Sequence, residues 1–459
     1  MAKGIRTTTG TDQGVSPRLR SLTVKGYKSI IDEQTIEFRP LTILAGANSA
    51  GKSSLVQPLL LLKQTLSTPF DPGPLLLDGP NVRLTSAEQF ISRGVPEAKS
   101  EFKVGLEIEN GMQLQLTFSP DPRHGIDLSG MRIIQDSGDN NPPSISPGMS
   151  GAQLEASWPT LKSFRERFLG ALATKRVFKG AEDAAWVVLR DRCFLEVELR
   201  GPNGLRLSAP MLHSYLFGSQ IERIIHVPGL RGNPGRTYSV AAVGNSFPGT
   251  FESYVASVIN HWRLTKDENL KGLGQDLEAL GLTWKVEARP KDDTQVEILV
   301  GRLPHAARGG ARDLVSIADV GFGVSQTLPV LVALRVAEPG QIVYLEQPEI
   351  HLHPRAQRKL ANILAAAASR GVIVVVETHS ALLLRGVQTL IAGTDTLNPS
   401  LVKLHWFTRN PNNGGTQVIA ADLDSDGAYG PDWPEDFDDV SLESEQAYLD
   451  AVENRGIKK

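Results

Sequence analysis

The 459-residue chain holds one cysteine, Cys193, so no intramolecular disulfide can form and a cysteine-built structural zinc site is excluded. A lone Cys inside the apolar stretch that begins CFLEVEL reads as core packing. No window approaches the ~20 consecutive apolar residues that cross a bilayer. The longest contender, 55–66, is interrupted by Gln57, Pro58, Lys63 and Gln64. The opening residues carry basic side chains with no apolar run behind them, which does not read as a secretory signal. Residues 1–19 are expected to be a flexible polar tail, and the chain is expected in the cytoplasm with no membrane contact. Charge of one sign is missing too. The 48 Lys and Arg stand against 51 Asp and Glu, a net of −3, which does not favour a whole-surface coat for nucleic acid but leaves room for a local basic groove. Neither an internal repeat nor a heptad run is present.

What remains is a globular composition, 41% hydrophobic and 22% charged, in a chain long enough to bury a sizeable core. LTVKGYKSI and QTIEFRP read as short strands, and LTILAG as a buried strand ending in glycine. Residues 51–66 then carry apolar side chains at helical spacing. Hairpins are expected around Asn110-Gly111, around Asn203-Gly204, and, with a longer loop, in TWKVEARPKDDTQVEILVG. Between the first two lie a Pro/Gly/Ser/Asn loop at 136–151 and a helix at 160–175. A further helix is expected at 252–262, where Tyr254, Val255, Val258, Ile259 and Trp262 share a core-facing stripe. From residue 319 the pattern alternates: helix 324–336, strand 341–345, helix 354–369, strand 372–377, helix 381–392, then strands at 401–407 and 416–421. Alternation of this kind argues for a parallel sheet.

Three motifs carry chemistry. GANSAGKSS fits G-x-x-x-x-G-K-[ST] through Gly46, Gly51, Lys52 and Ser53, between a buried strand and a helix. The backbone of Gly46, Ala47, Asn48, Ser49, Ala50, Gly51, Lys52, Ser53 and Ser54 can curl around phosphates. Lys52 adds a point charge, the Ser53 hydroxyl can ligate Mg²⁺, and the helix N-terminus adds its positive end. In QIVYLEQPEIHLHP, a buried strand delivers the Glu346 carboxylate beside the nucleotide, with a second acid, Glu349, beyond a proline. In IVVVETHS, His379 follows another buried strand and reads, beside the other two motifs, as a sensor of the terminal phosphate.

Together these segments resemble the ABC-type ATPase superfamily, and within it the branch holding RecF, SMC proteins and the overcoming-lysogenization-defect (OLD) nucleases. LTVKGYKSI resembles that branch's first strand, GANSAGKSS its phosphate loop, LEQPEIHLHPRAQRKL its acidic strand, and ETHSALLL its switch-histidine segment. HVPGLRGNPGRTY, with Arg231 and Arg236, is similar to another OLD-like segment. The resemblance implies an α/β fold: an ABC-type P-loop ATPase head with a mixed central sheet, an antiparallel β-subdomain and a helical insertion. The head is expected from 20–94 and 311–427, an inserted hairpin and helical region from 95–310, and an acidic tail from 428–459. It also implies ATP and Mg²⁺ as cofactors, a homodimer or higher homo-oligomer through ATP-sandwiched heads, and Gln89 as a candidate Mg²⁺ contact. Two departures stand out. In the signature segment DVGFGVSQTLPVL, Gly321 occupies the usual Ser position and Gly323 the usual Gly, leaving Ser325 as the candidate hydroxyl. Gln347 stands where the branch has the Glu that activates water, and an amide can position water without taking its proton. Slow hydrolysis is expected, with Glu349 or His379 as possible helpers.

The reading from this resemblance is a regulatory ATPase that controls a separate effector of nuclease type, like the ATPase halves of two-component phage-defence systems such as Septu and PARIS. A RecF-like clamp binding DNA directly is the alternative, with a transporter subunit behind it. His351 and His353 lack a third ligand at a telling distance, and His353-Pro354 reads instead as a helix start. DLDSDG fails as a calcium loop because its twelfth position is Trp433. Asp422 and Asp424 leave too little chain for a metal-dependent nuclease module.

Overall fold

A computed structural model of the chain describes residues 17–92, 100–122, 125–135, 142–175, 183–209, 212–303, 313–393, 397–430 and 446. The chain opens with β1 (Leu19–Lys25), β2 (Gln34–Glu37), β3 (Leu41–Gly46) and α1 (Lys52–Leu66). Then come β4 (Phe102–Ile108), β5 (Gln113–Asp121), β6 (Gly125–Ile134), β7 (Ser144–Ile145), α2 (Gly151–Ser157) and α3 (Pro159–Lys175). The middle continues through β8 (Ala185–Asp191), β9 (Phe194–Arg200), β10 (Arg206–Ser208), α4 (Leu212–Glu222), β11 (Ile225–Val227) and β12 (Tyr238–Ser239). α5 (Val255–Thr265), α6 (Glu268–Ala279), β13 (Val286–Pro290), β14 (Gln295–Gly301) and β15 (Leu314–Ser316) follow. The last third is α7 (Phe322–Val336), β16 (Ile342–Glu346), α8 (Pro354–Ser369), β17 (Ile373–Glu377), α9 (Ala381–Ala392), β18 (Val402–Arg409) and β19 (Thr416–Ala421).

The central sheet runs β11-β16-β17-β3-β18-β19, parallel except where β19 turns back on β18. β3, β16 and β17 are buried on both faces along nearly their whole length, in keeping with their largely apolar sequences, whereas the edge strand β19 is mostly exposed. Alternate residues enter opposite cores. Ile342 and Tyr344 face the core shared with α1 and the antiparallel sheet, whereas Val343 and Leu345 face the core of α5, α7, α8 and α9. The antiparallel sheet runs β2-β1-β4-β5-β6-β7, and two smaller ones run β10-β9-β8 and β12-β14-β13 with β15 on β14. The fold is thus mixed α/β with a P-loop head, as expected.

All three expected hairpins form: β4 on β5, β9 on β10 and β13 on β14. Two pairings were not expected. β6 extends the first hairpin, its pattern blurred by Gly125 and Gly130, and β8 pairs with β9. The β8–β9 turn passes through Arg192 at φ 50°, where no glycine signals it. The helix expected from 252 begins at Val255, after a 3₁₀ turn over Phe251–Tyr254. The stretch expected to be an insertion supplies strands to both large sheets, β4 beside β1 and β11 beside β16. Residues 1–16 of the expected tail, 136–141 of the expected loop and most of the acidic tail lie outside the described residues.

Candidate nucleotide site

The phosphate loop leaves β3 at Gly46, whose φ of 139° and position leave no room for a side chain. A Cβ there would lie 2.2 Å from the Phe407 carbonyl oxygen on β18. The loop passes through Ser49 at φ 60° and enters α1 at Gly51, φ 105°. No side chain caps α1, and its first turn holds no acid. Its leading N–H groups and the positive end of its dipole are therefore offered to an anion. Lys52 is 3% exposed and donates to the carbonyls of Gly46 (3.0 Å) and Ala47 (2.9 Å). Burial pulls its pKa below the ordinary lysine value against the nearby charges of Glu377 and Glu349. The β18–β19 hairpin braces the loop from outside. Arg409 Nε donates to Ser49 O at 2.8 Å, and the Thr416 hydroxyl lies 2.8 Å from both Ala50 O and Ser29 Oγ.

β16 and β17 end together beside this loop, with Glu346 and Glu377 as register partners and Glu377 opposite Leu44 of β3. The carboxyl ends of a parallel sheet are where such folds bind ligands. Glu346 accepts from His226 Nε2 (3.1 Å) and from Gly229 N (3.0 Å). Burial would raise its pKa, but the His226 hydrogen bond leads the interactions that bring it below the usual carboxylate value. Glu377 accepts from Ser53 Oγ (2.9 Å) and from Tyr344 Oη (2.9 Å), and burial raises its pKa. Sequence reading named Glu346 and passed over Glu377. The signal was present, since each acid closes an unbroken apolar strand.

Gln347 is half-buried at φ 43°, its backbone N–H bound to Glu377 O at 2.8 Å. Its side chain thus springs from a fixed left-handed corner at the end of β16. Glu349 is buried, and one carboxylate oxygen takes bonds from Thr378 Oγ1 (2.7 Å) and His379 N (3.0 Å). Its other oxygen is buried without a partner. His379 lies against the phosphate loop. Burial and the Lys52 charge depress its pKa, opposed by a hydrogen bond with the Gly46 backbone, which favours a neutral ring.

At the signature segment, α7 starts at Gly321 with no side-chain cap, and Phe322 beside it is 53% exposed. Gly323 is half-buried against Leu282. Ser325 turns its hydroxyl back onto Phe322 O at 3.3 Å, within its own helix, rather than toward the helix end. The structure brings together 46–54, Glu346, Gln347, Glu349 and His379. It does not bring Gln89 to them by any hydrogen bond. That exposed amide is spent on the Thr85 backbone and hydroxyl, four residues back in the same turn.

His353 accepts from Arg355 N and caps α8 ahead of Pro354, as expected. Asp422 pairs with Lys403 and Arg39, and Asp424 closes a turn onto Asp426 N and Ala428 N. The HVPGLRGNPGRTY segment frames the acids. Arg231 donates to Glu346 O and Gln326 O, and Arg236 pairs with Asp319. Among the described residues no helix is long and apolar enough to cross a membrane, and no three His, Cys, Asp or Glu side chains converge as a metal cluster.

Strand order, phosphate loop and paired acids at the carboxyl ends are those of a P-loop nucleotide-binding α/β fold. Residues 41–146 and 279–385 match the family described as "AAA domain, putative AbiEii toxin, Type IV TA system". Among solved structures, the chain is similar to an SMC head bound to the C-terminal winged-helix domain of ScpA, at 12% identity and TM-score 0.43 over 89% of this chain and 98% of that one. The SMC head domain from Thermotoga maritima gives 11% identity and TM-score 0.38 over 88% and 98%. An SMC head with an extended coiled coil, bound to the C-terminal domain of ScpA derived from Pyrococcus furiosus, gives 12% and 0.40 over 95% and 100%. A search of the curated proteins finds no match.

Proposed function

We propose that this chain is a slowly hydrolysing regulatory ATPase: two heads pair on ATP and thereby organise a separate effector, of nuclease type, in anti-phage defence. The observation that carries the ATP-binding core of this reading is the uncapped N-terminus of α1, with Lys52 in the loop and Ser53 tied to a strand-end acid. Pairing rests on a second uncapped, exposed helix end, that of α7, which offers backbone N–H groups to an anion carried by a partner head. The effector reading rests on the sequence resemblance alone.

Mg²⁺ fits the residues present. Ser53 Oγ, Glu346 and Glu377 are hard oxygen donors, and Mg²⁺ is commonly held by one or two carboxylates together with phosphates and water rather than by an all-protein cage. When bound, it supplies charge neutralisation on the phosphates. The chain's own residues do the rest. Backbone N–H groups of 46–54 and Lys52 hold the phosphates. Gln347 orients the attacking water without taking its proton, so the ATP-bound pair is long-lived. Glu349 holds the Thr378 hydroxyl and the His379 backbone N–H so that the neutral His379 ring stays on the loop.

The test is ATP binding and sedimentation of wild type and Lys52→Ala. Loss of a charge-assisted phosphate contact, worth about 1.5–3 kcal/mol, weakens ATP about 10- to 100-fold and abolishes ATP-induced pairing. Unchanged affinity in folded Lys52→Ala overturns the site assignment. Tight duplex-DNA binding by the chain alone at physiological salt overturns the effector reading in favour of a DNA clamp.

A further inference from the structure

His226 is 2% exposed on the edge strand β11, and the acid-edge chemistry described so far does not account for it. Its ring stacks on Tyr344, its register partner on β16, with centroids 5.5 Å apart and planes at 18°. The two rings serve one acid each, for Tyr344 donates to Glu377 and His226 Nε2 lies on Glu346. On its other side, His226 Nδ1 lies 3.0 Å from Asn81 Nδ2. That amide nitrogen also donates to Gly249 O at 3.0 Å, which fixes the Asn81 amide. Turned over, its oxygen would face the Gly249 carbonyl oxygen. The nitrogen therefore points at Nδ1, Nδ1 must accept, and the ring proton sits on Nε2, aimed at the carboxylate.

Asn81 is itself fixed from α1. Gln64, 1% exposed, accepts from Asn81 N (3.1 Å) and Val82 N (2.9 Å) and donates to Val82 O (3.1 Å). A relay of fixed groups thus runs from the helix that starts at the phosphate loop, through Gln64, the backbone and then the side chain of Asn81, and His226, to Glu346. Glu346 and Glu377 sit side by side on adjacent strands and would repel if free to swing. Separate ties fix each of them. His226 and Gly229 hold Glu346 from the β11 side, while Ser53 of α1 and Tyr344 of β16 hold Glu377.

We propose that His226, locked by Asn81 as the Nε2–H tautomer, is the positioning residue that aims Glu346 at the nucleotide's metal ion. This rests on the ATPase reading above and gives a role to the first residue of the HVPGLRGNPGRTY segment, for which the sequence suggested none. Support of this kind behind a ligating carboxylate is worth about 10- to 100-fold in metal affinity.

The experiment uses the full chain with Mn²⁺ as probe, its binding in the presence of ATP read by electron paramagnetic resonance, and metal-free ATP affinity read in EDTA. His226→Phe keeps a ring on Tyr344 and loses the donor. It should weaken Mn²⁺ about 10- to 100-fold while metal-free ATP affinity stays within a few-fold. His226→Gln, which retains an N–H donor, should recover most of the loss, and Asn81→Ala should fall between the two. In the nucleotide-free protein, the imidazole ¹⁵N spectrum should show the Nε2–H tautomer. Mn²⁺ affinity equal to wild type in folded His226→Phe overturns the proposal, and so does an Nδ1–H ring. If His226→Phe does not fold, the tautomer and the Gln variant decide. If wild type binds no ATP at all, the ATPase reading fails, and the tautomer still reports on the relay.

Discussion

In the phosphate loop, consecutive residues 46–54 offer their contacts through backbone N–H groups and one lysine. At the acid edge a few ångströms of sheet away, side chains of Asn81, His226, Tyr344, Glu346 and Glu377 come from four separated stretches of chain. The loop is specified by what it lacks, side chains at Gly46 and Gly51, where a Cβ would strike Phe407 O and Thr416 Oγ1 at 2.2 Å each. The edge is specified by a set of donors, each satisfied by another residue. A site made of backbone fails abruptly when one atom is added, and a site made of side chains fails gradually as donors are removed.

The sharpest way to break this contrast is Gly46→Val. Overpacking against a backbone carbonyl and a φ of 139° together cost about 3 kcal/mol or more. The denaturation midpoint should drop and ATP binding disappear. A variant as stable as wild type would show that the loop yields as the edge does.

Next in size is the turnover of Gln347→Glu. A carboxylate at this corner should raise the basal rate about 100-fold or more, because a general base becomes available. Glu349→Gln, assayed beside it, should change the rate only a few-fold, since an amide oxygen can still accept from Thr378 and His379. Brisk turnover in wild type that collapses in Glu349→Gln would make Glu349 the working base and remove the main support for a long-lived ATP state.

The smallest effect is expected where side chain braces backbone. Thr416→Val removes the hydroxyl beside Ala50 O, worth about 1 kcal/mol, and should weaken ATP by a few-fold with little change in Mg²⁺ dependence. A loss as large as that of Lys52→Ala would mean the loop has no independent shape.

The same contrast explains what could be read from the sequence. The loop is local, so a run of nine residues between a strand and a helix announced it. Strand-end positions also announced Glu346 and His379, because a polar residue closing an apolar run is a one-dimensional signal. Glu377 carried that signal and was overlooked beside the histidine two residues on. Asn81, in a loop, carries none, and His226 opens the segment HVPGLRGNPGRTY without any sign of its partner, since the two are joined only by folding. Gln89 is the opposite case. Order along the chain suggested a role, but a local turn onto Thr85 had already claimed the amide. The Ser325 hydroxyl went likewise to a carbonyl in its own helix.

The position of β3 in the sheet sets a timetable for synthesis. β3 ends at residue 46, while its two neighbours begin at residues 373 and 402. At ~5–20 residues per second, the ribosome takes on the order of 15–65 s to deliver β17 after β3 has been made. Through that interval a strand that is fully buried in the folded protein has both edges open, with the phosphate loop attached but unsupported. The hairpin that braces the loop, through Arg409 and Thr416, arrives later still. A nascent chain therefore cannot use ATP to hold itself folded until β17, β18 and the bracing β19 have been made.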